Sequence, residues 1–349
     1  MARAQADAPR PRPRPGPPRQ DPPRRPASRH TYAALDLGTN NCRLLIARPS
    51  DGGFTVVDAF SRIVRLGEGL SLSGRLSDPA MDRAVGALAV CAEKLRRRNV
   101  SIARSVATEA CRRAANGREF VERVKRETGL ALDIIPPQEE ARLAVLGCHK
   151  LLEPGDGPAL IFDIGGGSTE LVLVEPGEDG EPPRIRAWWS APWGVVSLTE
   201  SEGREAIEGD DRMAAYGRMQ RRARDAFSRF AGTLPRDAAN IRLMGTSGTV
   251  TTLASVHLAL PSYDRKAVDG LHVPIGDMRR ISTMIAEMTF AQRAGLPCIG
   301  PERADMVVAG CAILEAILDI WPADNLGIAD RGIREGILRA LMARDGYEL

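Results

Sequence analysis

Asp36 and Asp163 stand in matching surroundings. Each closes an apolar run and is followed by a tight turn of glycine and small polar residues, Asp36-Leu37-Gly38-Thr39-Asn40-Asn41 in one place and Asp163-Ile164-Gly165-Gly166-Gly167-Ser168 in the other. Aligned without a gap, Gly38 falls on Gly165, Leu44 on Leu171 and Ile46 on Leu173. The pattern is that of a β-hairpin with a carboxylate at its mouth. Glycine and short side chains let backbone N–H groups come close, so such a turn can wrap a phosphate. Two copies suit two halves facing each other across a polyphosphate. The copies differ after the turn: Arg43 in the first aligns with Glu170 in the second, a cation against an acid. A third phosphate-type turn, Gly245-Thr246-Ser247-Gly248-Thr249, opens a predicted helix, where free N–H groups point outward.

The elements that must carry these turns follow from hydrophobic periodicity. Strand patterns near 31–37, 42–48 and 54–60 precede a helix at about 79–98, which Ser77-Asp78-Pro79 opens with a capping residue and an early proline. A strand near 101–107, a helix near 117–128, a strand at 131–135 and a helix over 138–152 complete a βββαβαβα order. Glu153-Pro154-Gly155-Asp156-Gly157-Pro158 then breaks the chain, and the order restarts. Strands are predicted near 159–164, 169–175, 184–190, 240–244 and 325–329, with helices over 194–231, 247–259, 276–288, 302–319 and from 332. Three antiparallel strands followed by right-handed crossovers, twice over, predict an α/β protein with two mixed, helix-covered sheets. The ligand cleft is expected where strand-end loops from both halves meet.

Composition narrows the class. The 349 residues are 43% hydrophobic and 27% charged, as in an ordinary soluble protein with room for two cores. Residues 1–30 hold eight Arg, nine Pro and two Asp with no apolar run, and are expected to be a disordered tail. Without them the formal charge falls from +3 to −3, which argues against a general nucleic-acid binder. The six cysteines form no CxxC pair, and a body of this size needs no disulfides, so reduced thiols and a cytoplasmic protein are expected. Four histidines without an HExxH pattern make a histidine-based metal site improbable. No apolar run is long enough to span a membrane.

Seven motifs in order, Asp36–Arg43, Arg65–Gly69, Ala107–Arg112, Glu139–Arg142, Asp163–Glu170, Gly245–Thr249 and Asp330–Gly336, resemble the exopolyphosphatase / guanosine pentaphosphate phosphatase family of the actin, sugar-kinase and heat-shock-chaperone superfamily. The resemblance spans roughly residues 31 to 345. It implies two duplicated actin-like (ribonuclease H-like) domains, 31–143 and 144–349, each a mixed five-stranded sheet with helices on both faces. The last helix could pack back on the first domain, and the chain looks like the short, two-domain form. The implied reaction is Mg²⁺-dependent release of the terminal phosphate from inorganic polyphosphate or guanosine pentaphosphate. The implied partners are those anions or guanosine tetraphosphate, with no membrane, no specific nucleic acid, and a homodimer as the candidate assembly.

The resemblance implies that one acid of the Glu139–Glu140 pair is the general base. The sequence agrees in that Pro136-Pro137 stop a strand and the pair opens the next helix at the junction of the halves. Glu140 is preferred and Glu139 is one register step away; acids in a first turn also complement the helix dipole. Asp36 and Asp163 are expected to hold hydrated Mg²⁺, which prefers one or two carboxylates plus waters and substrate oxygens. Glu170 could share the metal or orient water. Gly38, Thr39, Asn40 and Asn41, then Gly165, Gly166, Gly167 and Ser168, then Ser247, Gly248 and Thr249 are the expected phosphate cradle. Arg43, Arg65 and Arg112 are its expected clamps. Two positions depart from the family pattern: Thr39-Asn40-Asn41 replaces Ser-Asn-Ser, and Ser197 stands where an Arg or Lys is common. An ATP-dependent kinase and a non-catalytic guanosine tetraphosphate sensor are the alternative readings of the same turns.

Overall fold

The computed structural model describes residues 30–152, 157–175, 177, 183–232 and 241–347. The expected disordered tail, His30 apart, lies outside them. The first sheet contains β1 (Tyr32–Leu37), β2 (Asn41–Ser50), β3 (Gly53–Ile63), β4 (Ile102–Ala107) and β5 (Asp133–Ile134) in the order β3-β2-β1-β4-β5. The second contains β6 (Ala159–Ile164), β7 (Thr169–Glu175), β8 (Arg184–Ala191), β9 (Arg242–Thr246), β10 (His272–Pro274) and β11 (Asn325–Ala329) in the order β10-β11-β9-β6-β7-β8. The mixed α/β class and the doubled strand pattern match the expectation, and the registers extend the internal repeat to single residues. Asp36 lies opposite Arg43 across β1–β2, and Asp163 lies opposite Glu170 across β6–β7. β1 runs parallel to β4 and β6 parallel to β9, so within each sheet the carboxyl ends of these strands lie side by side.

Several elements differ from expectation. The second sheet has six strands rather than five. The extra β10 is three residues long and ends in Pro274, too short to show a period and confined to an edge by its proline. The expected helical region 194–231 is three helices, Val195–Glu202, Arg204–Glu208 and Arg212–Ala231, divided at Gly203 and near Gly209. The helix expected over 302–319 begins only at Val307, leaving 301–306 as turns.

The helix Pro137–Cys148 lies between the two halves. Leu143 and Ala144 pack with Tyr32, Ala34 and Leu45 of the first sheet and with Ile337, Leu338 and Leu341 of the last helix, Ile333–Arg344. Ala141, Val145 and Cys148 pack instead on Ile161, Val172 and Met244 of the second sheet. One helix thus buries two faces against two sheets. The crossing with the last helix is close enough to exclude any side chain: a Cβ on Gly336 would stand 2.0 Å from the Leu143 carbonyl oxygen, and one on Gly147 2.0 Å from that of Gly332.

Gly336→Ala should therefore force these helices apart and lower stability by about 1–3 kcal/mol, as over-packing does. Gly86→Ala, mid-helix with nothing within 4 Å of the added methyl, should raise stability by about 0.4–1 kcal/mol by restricting the unfolded chain. Chemical denaturation of both variants checks the pair; equal effects would contradict the close crossing.

Candidate functional site

The two hairpin turns form by the same local rule. Gly38 N–H donates to Asn41 O at 2.9 Å, and Gly165 N–H donates to Ser168 O at 3.0 Å, so each turn closes on itself in the same way. The turns also touch each other. A Cβ on Gly166 would lie 2.9 Å from Cβ of Thr39 and 3.1 Å from the Asn40 nitrogen. Ser197, where the family pattern suggested a cation, braces the second turn from behind. Its hydroxyl accepts from Gly194 N–H at 2.9 Å and donates to Gly167 O at 3.2 Å.

Between the turns lies a cavity of about 130 Å³. Its lining brings together Asp36, Gly38, Thr39, Asn40, Asn41 and Arg43 from the first half with Asp163, Gly165, Gly166, Gly167, Ser168 and Glu170 from the second. Ser247, Gly248 and Thr249 complete it at the start of the helix Gly248–His257. Ser247 is held at φ 77, in the left-handed region that a serine rarely adopts, while its hydroxyl donates to Ile164 O at 2.6 Å. Strain of this kind, fixed by neighbouring structure, is characteristic of functional turns.

The acidic pair divides. Glu140 lines the cavity and is 7% exposed, with Oε2 accepting from Arg112 Nη1 at 3.1 Å and Nη2 at 3.2 Å. Glu139 points the other way, accepting from Arg142 Nε at 2.7 Å and Arg104 Nη1 at 2.8 Å. These partners pull their pKa values apart. Burial, then repulsion from Glu170, raise the Glu140 carboxyl well above its ordinary range despite Arg112. The hydrogen bond from Arg142, joined by Arg104, lowers that of Glu139 against its partial burial.

Arg65 and Arg112 do not line the cavity. Arg65 forms an ion pair with Asp305 at 2.8 Å, and Arg112 is held by Glu109, at 2.6 Å, as well as by Glu140. The cations that do line it are Arg43, without a salt bridge among the described residues, and Arg303, which donates to Thr252 Oγ1 at 2.9 Å. Sequence alone does not single out Arg303, which falls in the segment expected to be helical. The available signal was Pro301 and a short charged run before an almost wholly apolar helix.

The buried acids press on one another. Burial raises the Asp36 carboxyl to about 6, opposed by Arg43, and raises that of Asp163. Glu170 rises to about 7 through burial and the nearby Asp163, although Ser168 and Ser190 donate to it at 2.8 Å and 2.9 Å. Asp36 Oδ1 is buried with no partner. Two facing carboxylates, one with an orphaned oxygen, fit a hard divalent cation that takes its other ligands from phosphate and water. No group of three metal-ligating side chains occurs among the described residues. Likewise no helix among them is long and apolar enough to cross a membrane.

The chain is similar to known proteins over most of its length. Residues 45–345 match the model of the Ppx/GppA phosphatase family. The chain is 32% identical over 323 residues to Exopolyphosphatase 2 of Mycobacterium tuberculosis, covering 88% of this chain and 98% of that one. It is 29% identical to the guanosine-5'-triphosphate,3'-diphosphate pyrophosphatase of Aeromonas hydrophila, covering 90% of this chain and 60% of that protein. Among solved structures, the Aquifex aeolicus Ppx/GppA family member superposes with a TM-score of 0.73 at 30% identity, over 91% of this chain and 99% of that one. An exopolyphosphatase from Cytophaga hutchinsonii has the same fold, with a TM-score of 0.80 at 23% identity over 90% of this chain and 98% of that one.

Two outcomes follow from the charges. Asp36 and Glu170 hold protons in the folded state up to about pH 6 and 7, whereas unfolded carboxyls release them near pH 4. The folded state therefore binds more protons across that window, and stability should fall as pH rises from about 4 to 7. Denaturation in chelator should give a lower midpoint at pH 8 than at pH 5, and Asp36→Asn should narrow the gap; a higher midpoint at pH 8 would contradict it. Separately, Arg303→Ala should weaken tripolyphosphate binding by about tenfold or more, the loss of one charge-assisted hydrogen bond. Arg65→Ala should change it by less than about threefold. Calorimetric titration compares the two.

Proposed function

The chain belongs to the Ppx/GppA phosphatase family, and on that premise we propose that it is a hydrolase releasing the terminal phosphate of inorganic polyphosphate or guanosine pentaphosphate. Relatives named for each activity support the choice of substrates. The observation that carries the mechanism is the division of the acidic pair: Glu140 lines the same cavity as both Asp-bearing turns, and Glu139 does not.

The terminal phosphate is held by backbone N–H groups of the turns at Gly38–Asn40, Gly165–Ser168 and Ser247–Gly248, with Arg43 and Arg303 as its cations. Asp36 and Asp163 would hold Mg²⁺, which when bound offsets the charge of the phosphate oxygens. Glu140 accepts a proton from a water as that water's oxygen bonds to the terminal phosphorus and the bridging P–O bond breaks. The leaving chain takes the electron pair. The raised affinity of Glu140 for protons suits a base working near neutral pH. Arg112 fixes the orientation of that carboxylate, and Glu170 holds its position through Ser168 and Ser190. Little covalent work is asked of the protein; positioning and charge supply the rate.

Glu140→Gln should lose at least ~10²-fold in kcat while still binding substrate. Glu139→Gln should stay within several-fold of wild type, since its partners lie outside the cavity. Phosphate release from polyphosphate and from guanosine pentaphosphate by both variants is the measurement. A dead Glu139→Gln beside an active Glu140→Gln would reverse the assignment.

A further inference from the structure

A second cavity, of about 240 Å³, adjoins the phosphate cavity on the seam between the halves. Met306 lines both, and neighbouring residues of one helix divide between them, Val195 on the first and Val196 on the second. Both walls of the second cavity are hydrogen-bonded to the phosphate turns. Arg65 N–H donates to Asn40 O at 3.0 Å and Gly67 N–H to Thr39 O at 2.9 Å. From the other half, Val195 N–H donates to Gly165 O at 3.0 Å and Val196 N–H to Gly166 O at 2.8 Å. The walls are joined where Gly69 N–H donates to Glu200 Oε1 at 2.7 Å.

Charge here is arranged differently from the first cavity. Of four lining acids, three have arginine partners: Glu68 with Arg83 at 2.6 Å, Glu208 with Arg204 at 2.8 Å and Asp305 with Arg65 at 2.8 Å. The fourth, Glu200, has no ion pair among the described residues, and its Oε2 is buried without a hydrogen-bond partner. Thr199 Oγ1, from the adjoining lining residue, is likewise buried and unpartnered. The two lining arginines, Arg65 and Arg204, are already engaged. A phosphate chain entering here would therefore meet an unpaired carboxylate and no free cation. A ligand bearing N–H groups would instead supply what the two oxygens lack. Val196, Ile207 and Met306 add apolar surface.

We infer that this second cavity receives the guanine base of a nucleotide whose phosphates occupy the first, with Glu200 and Thr199 as specificity-determining residues. The inference deepens the phosphohydrolase reading and rests on it for the placement of the phosphates. Guanine presents two N–H donors side by side, at N1 and N2, on a flat ring whose faces suit apolar side chains. The donors match the carboxylate and hydroxyl of two consecutive residues. Adenine sets a bare ring nitrogen where guanine has N1–H, so lone pair would meet lone pair at the carboxylate. A site built to accept hydrogen bonds rejects an analogue that cannot donate them. Bare polyphosphate makes none of these contacts, so the cavity favours guanosine pentaphosphate.

The test is equilibrium binding of guanosine tetraphosphate, its adenosine counterpart and tripolyphosphate to wild type, Glu200→Gln and Thr199→Val. Wild type should bind the guanosine ligand at least about tenfold more tightly than the adenosine one. Glu200→Gln keeps an oxygen for Gly69 N–H and turns the orphaned acceptor into a donor. It should weaken guanosine tetraphosphate about tenfold and tripolyphosphate by less than about twofold. Thr199→Val replaces a buried, unpartnered hydroxyl by a methyl, so it guards against a folding defect and should weaken the guanosine ligand severalfold. Selective loss for the guanosine ligand in either variant upholds the site. No preference for guanine in wild type, unchanged affinity in both variants, or equal loss for all three ligands would overturn it. Phosphate release from guanosine pentaphosphate and tripolyphosphate by wild type is read separately. Failure on both substrates ends the hydrolase reading, while the binding pattern still decides the base site.

Discussion

One helix with two buried faces governs the geometry of this protein. Pro137–Cys148 sets Leu143 and Ala144 into the first half and Ala141, Val145 and Cys148 into the second. Because apolar area on both faces is removed from water, neither half can shift against it without exposing core. The crossing at Gly147 and Gly336 brings backbone against backbone, which fixes its depth as well as its direction. Glu140 rides on the first turn of this helix, so the position of its carboxylate is set by the packing of both halves together.

The second governing fact is the burial of like charge. Asp36, Asp163, Glu170 and Glu140 crowd a space where few cations reach them, and burial is the leading cause of every upward shift. Folding alone would not favour such an arrangement. It becomes intelligible as a site that awaits compensation from outside the chain. Arg43 and Arg303 face the same space without a carboxylate partner of their own within salt-bridge range among the described residues. The protein keeps both signs poised rather than cancelling them internally, as electrostatic preorganisation requires. Elsewhere it cancels them: Asp58 is drawn down to about 2 by Lys94, with burial opposing and Arg98 assisting.

Internal duplication explains why so small a set of residues suffices. Each half supplies a hairpin turn with an aspartate at its mouth, closed by one hydrogen bond, and the two turns pack together through Gly166 and Thr39. The duplication is broken at the position opposite each aspartate, Arg43 against Glu170. That single asymmetry gives one side of the cavity a cation and the other an acid hydrogen-bonded to two serines. The third turn, at Ser247, belongs to the second half only and adds a helix start with strained backbone.

Local signals in the chain determined the doubled strand pattern, the aspartate turns, the glycine-rich cradle and the acidic pair, because these depend on period, turn chemistry and helix-start composition within about ten residues. Contacts between distant segments decided the rest. Glu139 and Glu140 are equivalent in a first turn read by itself, and only the placement of two sheets and three arginine partners separates them. Arg65 and Arg112 carry the same charge as Arg303, yet Asp305, Glu109 and Glu140 engage the first two while Thr252 leaves the third facing the cavity. A side chain's type is written in the chain, but which partner reaches it first is a property of the packed molecule.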